Sequence, residues 1–214
     1  MKSLRITEIF HSLQGEARTV GVPTVFVRLT GCPLRCGYCD TEYAFSGGEI
    51  ISLDKILEAV RQYKTQYVCV TGGEPMAQKE CLSLLVALCD EFKQVSLETS
   101  GALDLAEVDP RVIKVMDLKT PDSNEMSRNL YSNIQTLNPH DQVKFVLCSR
   151  QDYDWAKLQV DQYNLTSRVD DVLFSPCHDK LDPTQLAAWI LQDKLSVRFQ
   201  LQLHKILWGD KQGV

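Results

Sequence analysis

Short apolar strands alternating with amphipathic helices predict an α/β fold, a partial (β/α)6-type TIM barrel of parallel units in one domain over residues 1–214. Strand-like runs recur at Thr24–Thr30, Tyr67–Thr71, Val95–Glu98, Val112–Leu118, Gln142–Cys148 and Val172–Phe174. Stretches between them carry apolar residues at helical spacing. Polar and glycine residues follow the strands, as in Thr71-Gly72-Gly73-Glu74, Glu98-Thr99-Ser100-Gly101, Asp117-Leu118-Lys119 and Ser175-Pro176. About six such units are too few for a closed eight-fold barrel. Strand carboxyl ends are where β/α folds build their sites, so these polar endings converge on one rim.

The elements follow in order. Leu4–Phe10 alternates loosely and reads as an edge-like first strand, with Ser12–Ala17 as a loop. Thr24–Thr30 is a buried strand holding one charge, Arg28. After a break at Ser46-Gly47-Gly48, Ser52 caps a helix whose apolar face is Leu53, Ile56, Leu57, Val60 and Tyr63. Tyr67–Thr71 is stopped by two glycines. The next helix puts Leu82, Leu85, Val86, Cys89 and Phe92 on one face. Ser123–Leu137 reads as a helix, Asp152–Tyr163 as another. Asp182 caps a helix with Pro183 at its first position, running to Gln192. Val197–His204 reads as a last strand.

Composition narrows the function classes. Apolar residues make up 44% and charged residues 24%, and 23 basic against 28 acidic residues give a net charge of −5. That balance argues against a broad nucleic-acid-binding face. No run of eighteen apolar residues predicts a membrane span. Without a signal-peptide core at the start, a cytoplasmic location is expected. The eight cysteines are then reduced thiols or metal ligands rather than disulfides. Cys69, Cys81 and Cys89 fit small core positions, as do Cys148 and Cys177 near strand ends.

The other three cysteines lie in one loop after a strand, Gly31-Cys32-Pro33-Leu34-Arg35-Cys36-Gly37-Tyr38-Cys39-Asp40-Thr41, at spacing C-x3-C-x2-C. Three thiolates can hold three irons of a [4Fe–4S] cluster and leave the fourth open for chemistry. Zinc completed by His178 or Cys177 is the alternative, although structural zinc usually draws on two ligand pairs. Thr71-Gly72-Gly73-Glu74-Pro75 follows the next strand; its glycines let a ligand approach the backbone, and Glu74 offers an acceptor to a cationic amine.

Together these motifs resemble the radical S-adenosylmethionine superfamily. The resemblance implies that Cys32, Cys36 and Cys39 hold a [4Fe–4S] cluster whose open iron is chelated by S-adenosylmethionine, giving a 5′-deoxyadenosyl radical. It also implies cofactor contacts at Tyr38, Gly73, Glu74, Ser100, Asp117, Lys119 and Ser175. A narrower set of residues extends the match: Phe10–Glu16, Gly21-Val22-Pro23, Phe26–Leu29, Gly31-Cys32-Pro33, Cys39-Asp40-Thr41, Glu98–Gly101 and Gln202–Lys205. It resembles the 7-carboxy-7-deazaguanine synthase family, lyases of queuosine biosynthesis. For this chain the resemblance implies ring contraction of 6-carboxy-5,6,7,8-tetrahydropterin with loss of ammonia. Mg2+ is implied at Thr41, and substrate contacts at Leu13, Gln14, Gly15, Arg28, Thr71 and His204. A homodimer and a flavodoxin or ferredoxin-type electron donor are implied too.

The guanidinium of Arg28, costly on a buried strand unless paired, suits a bidentate clamp on a carboxylate; an internal salt bridge is the other way to satisfy it. The sequence departs from the family at Ala17, where relatives carry a second glycine, at Asp117–Pro121, and at Trp208–Val214. Two rivals remain: an activase that places a radical on another protein, and a zinc-stabilised binding module.

Overall fold

The computed structural model describes residues 2–214. Among them, nine strands form one sheet in the order β3-β1-β2-β4-β5-β6-β7-β8-β9. The strands are β1 (Ser3–Leu13), β2 (Pro23–Leu29), β3 (Glu49–Ser52), β4 (Tyr67–Gly72), β5 (Gln94–Thr99), β6 (Ile113–Asp117), β7 (Gln142–Leu147), β8 (Asp171–Pro176) and β9 (Arg198–Phe199). From β2 onward every pairing to β9 is parallel. At the other end β1 runs antiparallel to both β2 and β3. The sheet stays open, with β3 and β9 as its edges. That is the expected partial barrel, with an antiparallel extension added.

The helices are α1 (Leu53–Arg61), α2 (Cys81–Glu91), α3 (Arg150–Gln162), α4 (Leu165–Arg168), α5 (Pro183–Asp193) and α6 (Leu203–Trp208). The pleat sorts the residues between two faces. Val25, Val27 and Leu29 of β2, Val68 and Val70 of β4, Val95 and Leu97 of β5, and Val143, Phe145 and Leu147 of β7 join one buried apolar cluster with Ile56, Leu85, Tyr153 and Ile190 of the helices. The alternate positions Arg28, Thr71, Glu98, Asp117 and Lys144 all line a cavity on the other face. A run of strands buried on one side and polar on the other places a site without help from the loops.

Helix ends obey local chemistry. Asp182 accepts from Thr184 N at 2.8 Å, and Pro183 opens α5. Ser149 caps α3 by accepting from Asp152 N. Ser52 holds the N-cap position of α1 but makes no side-chain cap there; it also ends β3.

Several expectations are corrected. Ser12 and Leu13 belong to β1, because the strand keeps pairing with Thr24 and Pro23 beyond Phe10. The face of α2 is rotated: Cys81, Leu84, Leu85 and Leu88 are buried while Val86 is exposed. A helix apolar on several sides gives periodicity nothing to choose by. Ser123–Leu137 is not a helix but short 3-10 turns at Pro121–Ser123, Met126–Arg128 and Tyr131–Thr136. Asn124 there is left-handed at φ 64°. Asn133 uses its amide to accept from Leu105 N and donate to the Gly101 and Leu103 carbonyls. Such side chains compete with helical hydrogen bonding. The last strand shrinks to Arg198–Phe199, since Gln200 turns its amide onto the backbone of Ala17. His204 therefore lies on α6 and not on a strand.

Candidate active site

A cavity of about 540 Å3 opens on the polar face of the sheet, lined from the ends of β1, β2, β4, β5, β6 and β7, the cysteine loop and the segment from Gln202 onward. Its size suits small molecules.

The cysteine loop is fastened from several sides. Gly31 N donates to Ala44 O at 2.7 Å, Gly37 N to Ser123 O at 3.0 Å and Cys39 N to Cys36 O at 3.1 Å. Arg35 donates to the Cys32 carbonyl at 2.8 Å, and its guanidinium stacks 4.2 Å from the centre of Phe45. Lys180 reaches across from the loop after β8 to the Gly37 carbonyl at 3.2 Å. Cys36, Tyr38 and Cys39 line the cavity; Cys32 stands behind them. Burial pushes the Cys36 thiol up to about 11, with Lys119 pulling it down and Asp117 pushing it further up. A metal binding there must displace that proton.

The glycine turn packs directly on this loop. A Cβ on Gly73 would land on the Gly31 carbonyl and crowd Cys32, and one on Gly72, at φ 148°, would strike the backbone of Leu29. Only glycine lets these two loops lie so close. Glu74 behaves differently from the expectation. Its side chain is fully buried and does not line the cavity. It accepts from Ser100 N at 2.7 Å, Ser100 Oγ at 2.5 Å, Thr99 Oγ1 at 2.9 Å and Met76 N at 3.1 Å. With its oxygens filled, this carboxylate ties the end of β4 to the end of β5, and any amine contact at this position falls to backbone.

Arg28 makes the internal salt bridge, the second of the two readings offered for it. Nε donates to Glu8 Oε1 at 2.7 Å, Phe10 and Tyr43 flank the guanidinium, and Tyr43 OH donates to the same Glu8 oxygen at 2.8 Å. Burial works against the charge, but Tyr43 and Glu8 outweigh it and raise the Arg28 pKa. Glu8 fixes the group through Nε, and among the described residues no side chain or carbonyl accepts from its terminal nitrogens. Thr71 donates to Glu98 Oε2 at 3.0 Å, and Gln14 Nε2 to Glu98 Oε1 at 3.3 Å. Leu13, Gln14 and Gly15 line the cavity. Part of their backbone is taken: Gln14 N donates to Val22 O, Gln14 O accepts from Gly21 N, and Gly15 O accepts from Leu203 N at 2.9 Å.

His204 packs against Gly15, where a Cβ would meet its imidazole, with Nε2 3.7 Å from Asp40 Oδ2. Burial disfavours the imidazolium, yet Asp40 and then Glu16 raise the pKa above its ordinary value. Asp40 also accepts from Thr41 Oγ1 at 2.8 Å. Burial pushes the Asp40 carboxyl up, but His204, Thr41 and Lys205 hold it well below the usual range.

Beside the expected Asp117 and Lys119, a Lys144–Glu16 pair in the floor of the cavity was not foreseen. Lys144 pairs with Glu16 and stands 3.6 Å from Asp117 Oδ2; Lys119 pairs with Asp117 at 3.1 Å. Gln202 donates to the other Glu16 oxygen at 2.7 Å. The sequence signal for Lys144 was the one used for Arg28, a charge inside an otherwise apolar strand.

The profile of the Radical SAM superfamily matches residues 26–157. A 7-carboxy-7-deazaguanine synthase of Chlorobaculum tepidum is 43% identical over 215 residues, covering 99% of this chain and 97% of that one. A second, of Koribacter versatilis, is 41% identical over 219 residues, covering 96% and 97%. The chain belongs to the 7-carboxy-7-deazaguanine synthase family of the radical SAM superfamily. In fold it resembles the crystal structure of QueE from Escherichia coli, at TM-score 0.75 and 23% identity over 94% of this chain and 95% of that one.

A radical SAM enzyme carries a [4Fe–4S] cluster and S-adenosylmethionine, and the residues present fit both. Three thiols converge on one loop. Beside the loop, Asp117 Oδ1, Tyr38 OH and Ser175 Oγ are buried polar atoms with no partner in the protein. Unpaired buried oxygens of this kind are rare in native proteins and ask for a ligand. Ser175 itself is buried on β8 and does not line the cavity. No helix among the described residues is long and apolar enough to cross a membrane.

Proposed function

We propose that this chain is a 7-carboxy-7-deazaguanine synthase, a radical SAM lyase that contracts 6-carboxy-5,6,7,8-tetrahydropterin to 7-carboxy-7-deazaguanine with loss of ammonia. One observation carries the reading beyond the superfamily: Arg28, held at Nε by Glu8, turns a free guanidinium fork into the cavity that Cys36 and Cys39 line. A carboxylate substrate is what such a fork binds in two places.

When bound, the cluster and S-adenosylmethionine supply a carbon-centred radical that removes hydrogen from the substrate. The chain does the holding. Cys32, Cys36 and Cys39 would hold the cluster, three thiolates being one short of a full set. Gly73 admits the cofactor's amine to the backbone. Asp117, Lys119, Tyr38, Ser100 and Ser175 surround its polar parts. Arg28 fixes the carboxylate of the pterin and thereby the carbon beside it. Leu13, Gln14, Gly15, Thr71 and His204 orient the ring system, with Glu98 bracing Gln14 and Thr71. The apolar faces of Phe10 and Phe26, stacked at 4.9 Å, exclude water from one side. Mg2+ at Thr41 would take most of its oxygens from substrate and water, since a neutral hydroxyl is a weak ligand.

The same proposal takes the chain as one domain, a homodimer fed by a flavodoxin or ferredoxin-type donor, working in the cytoplasm, where eight free cysteines would stay reduced. The deciding experiment is anaerobic reconstitution with iron and sulfide, then incubation with S-adenosylmethionine, a reductant and the pterin acid. Formation of the deazaguanine without net loss of S-adenosylmethionine is expected. Cofactor cleavage without that product would leave a radical enzyme of another substrate.

A further inference from the structure

Two of the cysteines outside the cluster loop occupy equivalent places on neighbouring strands. Strands β7 and β8 pair in parallel with Val146 opposite Ser175 and Leu147 opposite Pro176. Cys148 and Cys177 are the next residues of each, and the ladder reaches them, since Cys177 N donates to Leu147 O at 2.8 Å. Residues in register on adjacent strands have Cα atoms about 5 Å apart, inside the span of roughly 4.4–6.8 Å that a disulfide needs. The pleat directs both side chains toward the cavity face, one residue past Leu147 and Pro176.

The environment separates the two thiols. Each is the other's main perturbation: contact with Cys148 lowers the Cys177 pKa, and contact with Cys177 raises that of Cys148. Lys180, on the same loop, favours the Cys177 thiolate further. Cys177 is buried, 6% exposed, and a dissolved reagent reaches it through the cavity it lines; Cys148 is half-buried. A cavity-lining thiol biased toward the thiolate, with a protonated partner beside it, is the arrangement of an attacking and a resolving cysteine.

We propose that Cys148 and Cys177 form a redox-active dithiol at the rim of the cofactor cavity, closing to an intramolecular disulfide by exchange with a low-molecular-weight disulfide. The Cys177 thiolate attacks one sulfur of the reagent, forming a mixed disulfide and expelling one thiolate. Cys148 gives up its proton, and its sulfur attacks Cys177 Sγ; the Cys148–Cys177 bond forms as the second thiolate leaves with that proton. Two protein thiols are oxidised and one small disulfide is reduced to two thiols. The bridge would tie the start of α3 to the loop whose Lys180 holds the Gly37 carbonyl, so the oxidation state of this pair reaches the cluster loop.

The test uses the cluster-loaded protein, in which iron occupies the three thiols of the cluster loop, incubated anaerobically with glutathione disulfide, alkylated and digested without reduction. Expected is one cross-linked peptide pair joining Cys148 to Cys177, a loss of two mass units, and full return on adding dithiothreitol. Cys148→Ser should stop at a glutathione adduct on Cys177, and Cys177→Ser should give no cross-link. The proposal is overturned if both cysteines of the wild type are alkylated after oxidation, if the adduct persists in the wild type, or if Cys177 pairs with another cysteine. The outcome does not depend on the identity of the pterin substrate.

Discussion

At Arg28, Nε is held by Glu8, and the terminal nitrogens are the ones proposed to take the substrate carboxylate. Arg28→Ala should lower kcat/KM by about two orders of magnitude or more, the usual scale for losing a buried charged hydrogen-bonding partner, while the cluster's visible absorbance stays. Steady-state kinetics beside iron counting on the same sample checks both halves. Glu8→Gln should act more weakly and mainly through KM, because the fork loses its brace and keeps its charge. Ala17 makes a different point. It sits at φ 60°, where an L side chain costs about 1–2 kcal/mol that glycine would avoid. Its backbone is clamped at both ends by Gln200, at 2.7 Å each. Ala17→Gly should therefore leave urea stability unchanged or slightly raised, against the usual loss on introducing glycine, whereas Ala17→Val should lower it by about 2 kcal/mol or more.

For the elements, legibility followed burial. The parallel strands stood out because each is short, β-branched and stopped by polar or glycine residues, and their polar endings did gather on one rim. What sequence could not yield were elements whose existence depends on a distant partner. Strand β3 is held by pairing Ile50 and Ile51 with β1, and Gln200 ends β9 by reaching Ala17. The charge-in-a-strand signal was also two-valued. Lys144 faces the cavity, whereas Lys114 on β6 is buried against Asp141 at 2.9 Å and serves the fold. Periodicity would have told them apart only once the cavity face was known. Helix α6 docks by one backbone hydrogen bond to Gly15 and the imidazole laid over that glycine. Gly15→Ala should push His204 away, raising the KM for the pterin and exposing residues 201–208 to protease; limited proteolysis reads this directly.

Across the whole molecule, the open sheet collects charges of both signs on its inner face, and their pairing links folding to pH. Burial raises the Glu16 carboxyl, but Lys144 and then His204 outweigh it, and its folded pKa lies below the ordinary value of 4.5. A depressed carboxylate contributes stability that is fully present above the unfolded value and is lost as pH falls through the folded one. Thermal stability should thus decline below pH 4.5 with a slope that Glu16→Gln flattens, while both proteins run parallel near neutrality; melting curves over that window decide it. Glu74, by knotting the ends of β4 and β5 into one unit, has a consequence for chemical selectivity. The glycine ledge beside it inherits that stiffness and cannot yield to accommodate bulk. Sulfonium analogues alkylated on the amino-acid nitrogen should accordingly be refused by shape alone, while analogues altered at the purine are judged elsewhere in the cavity.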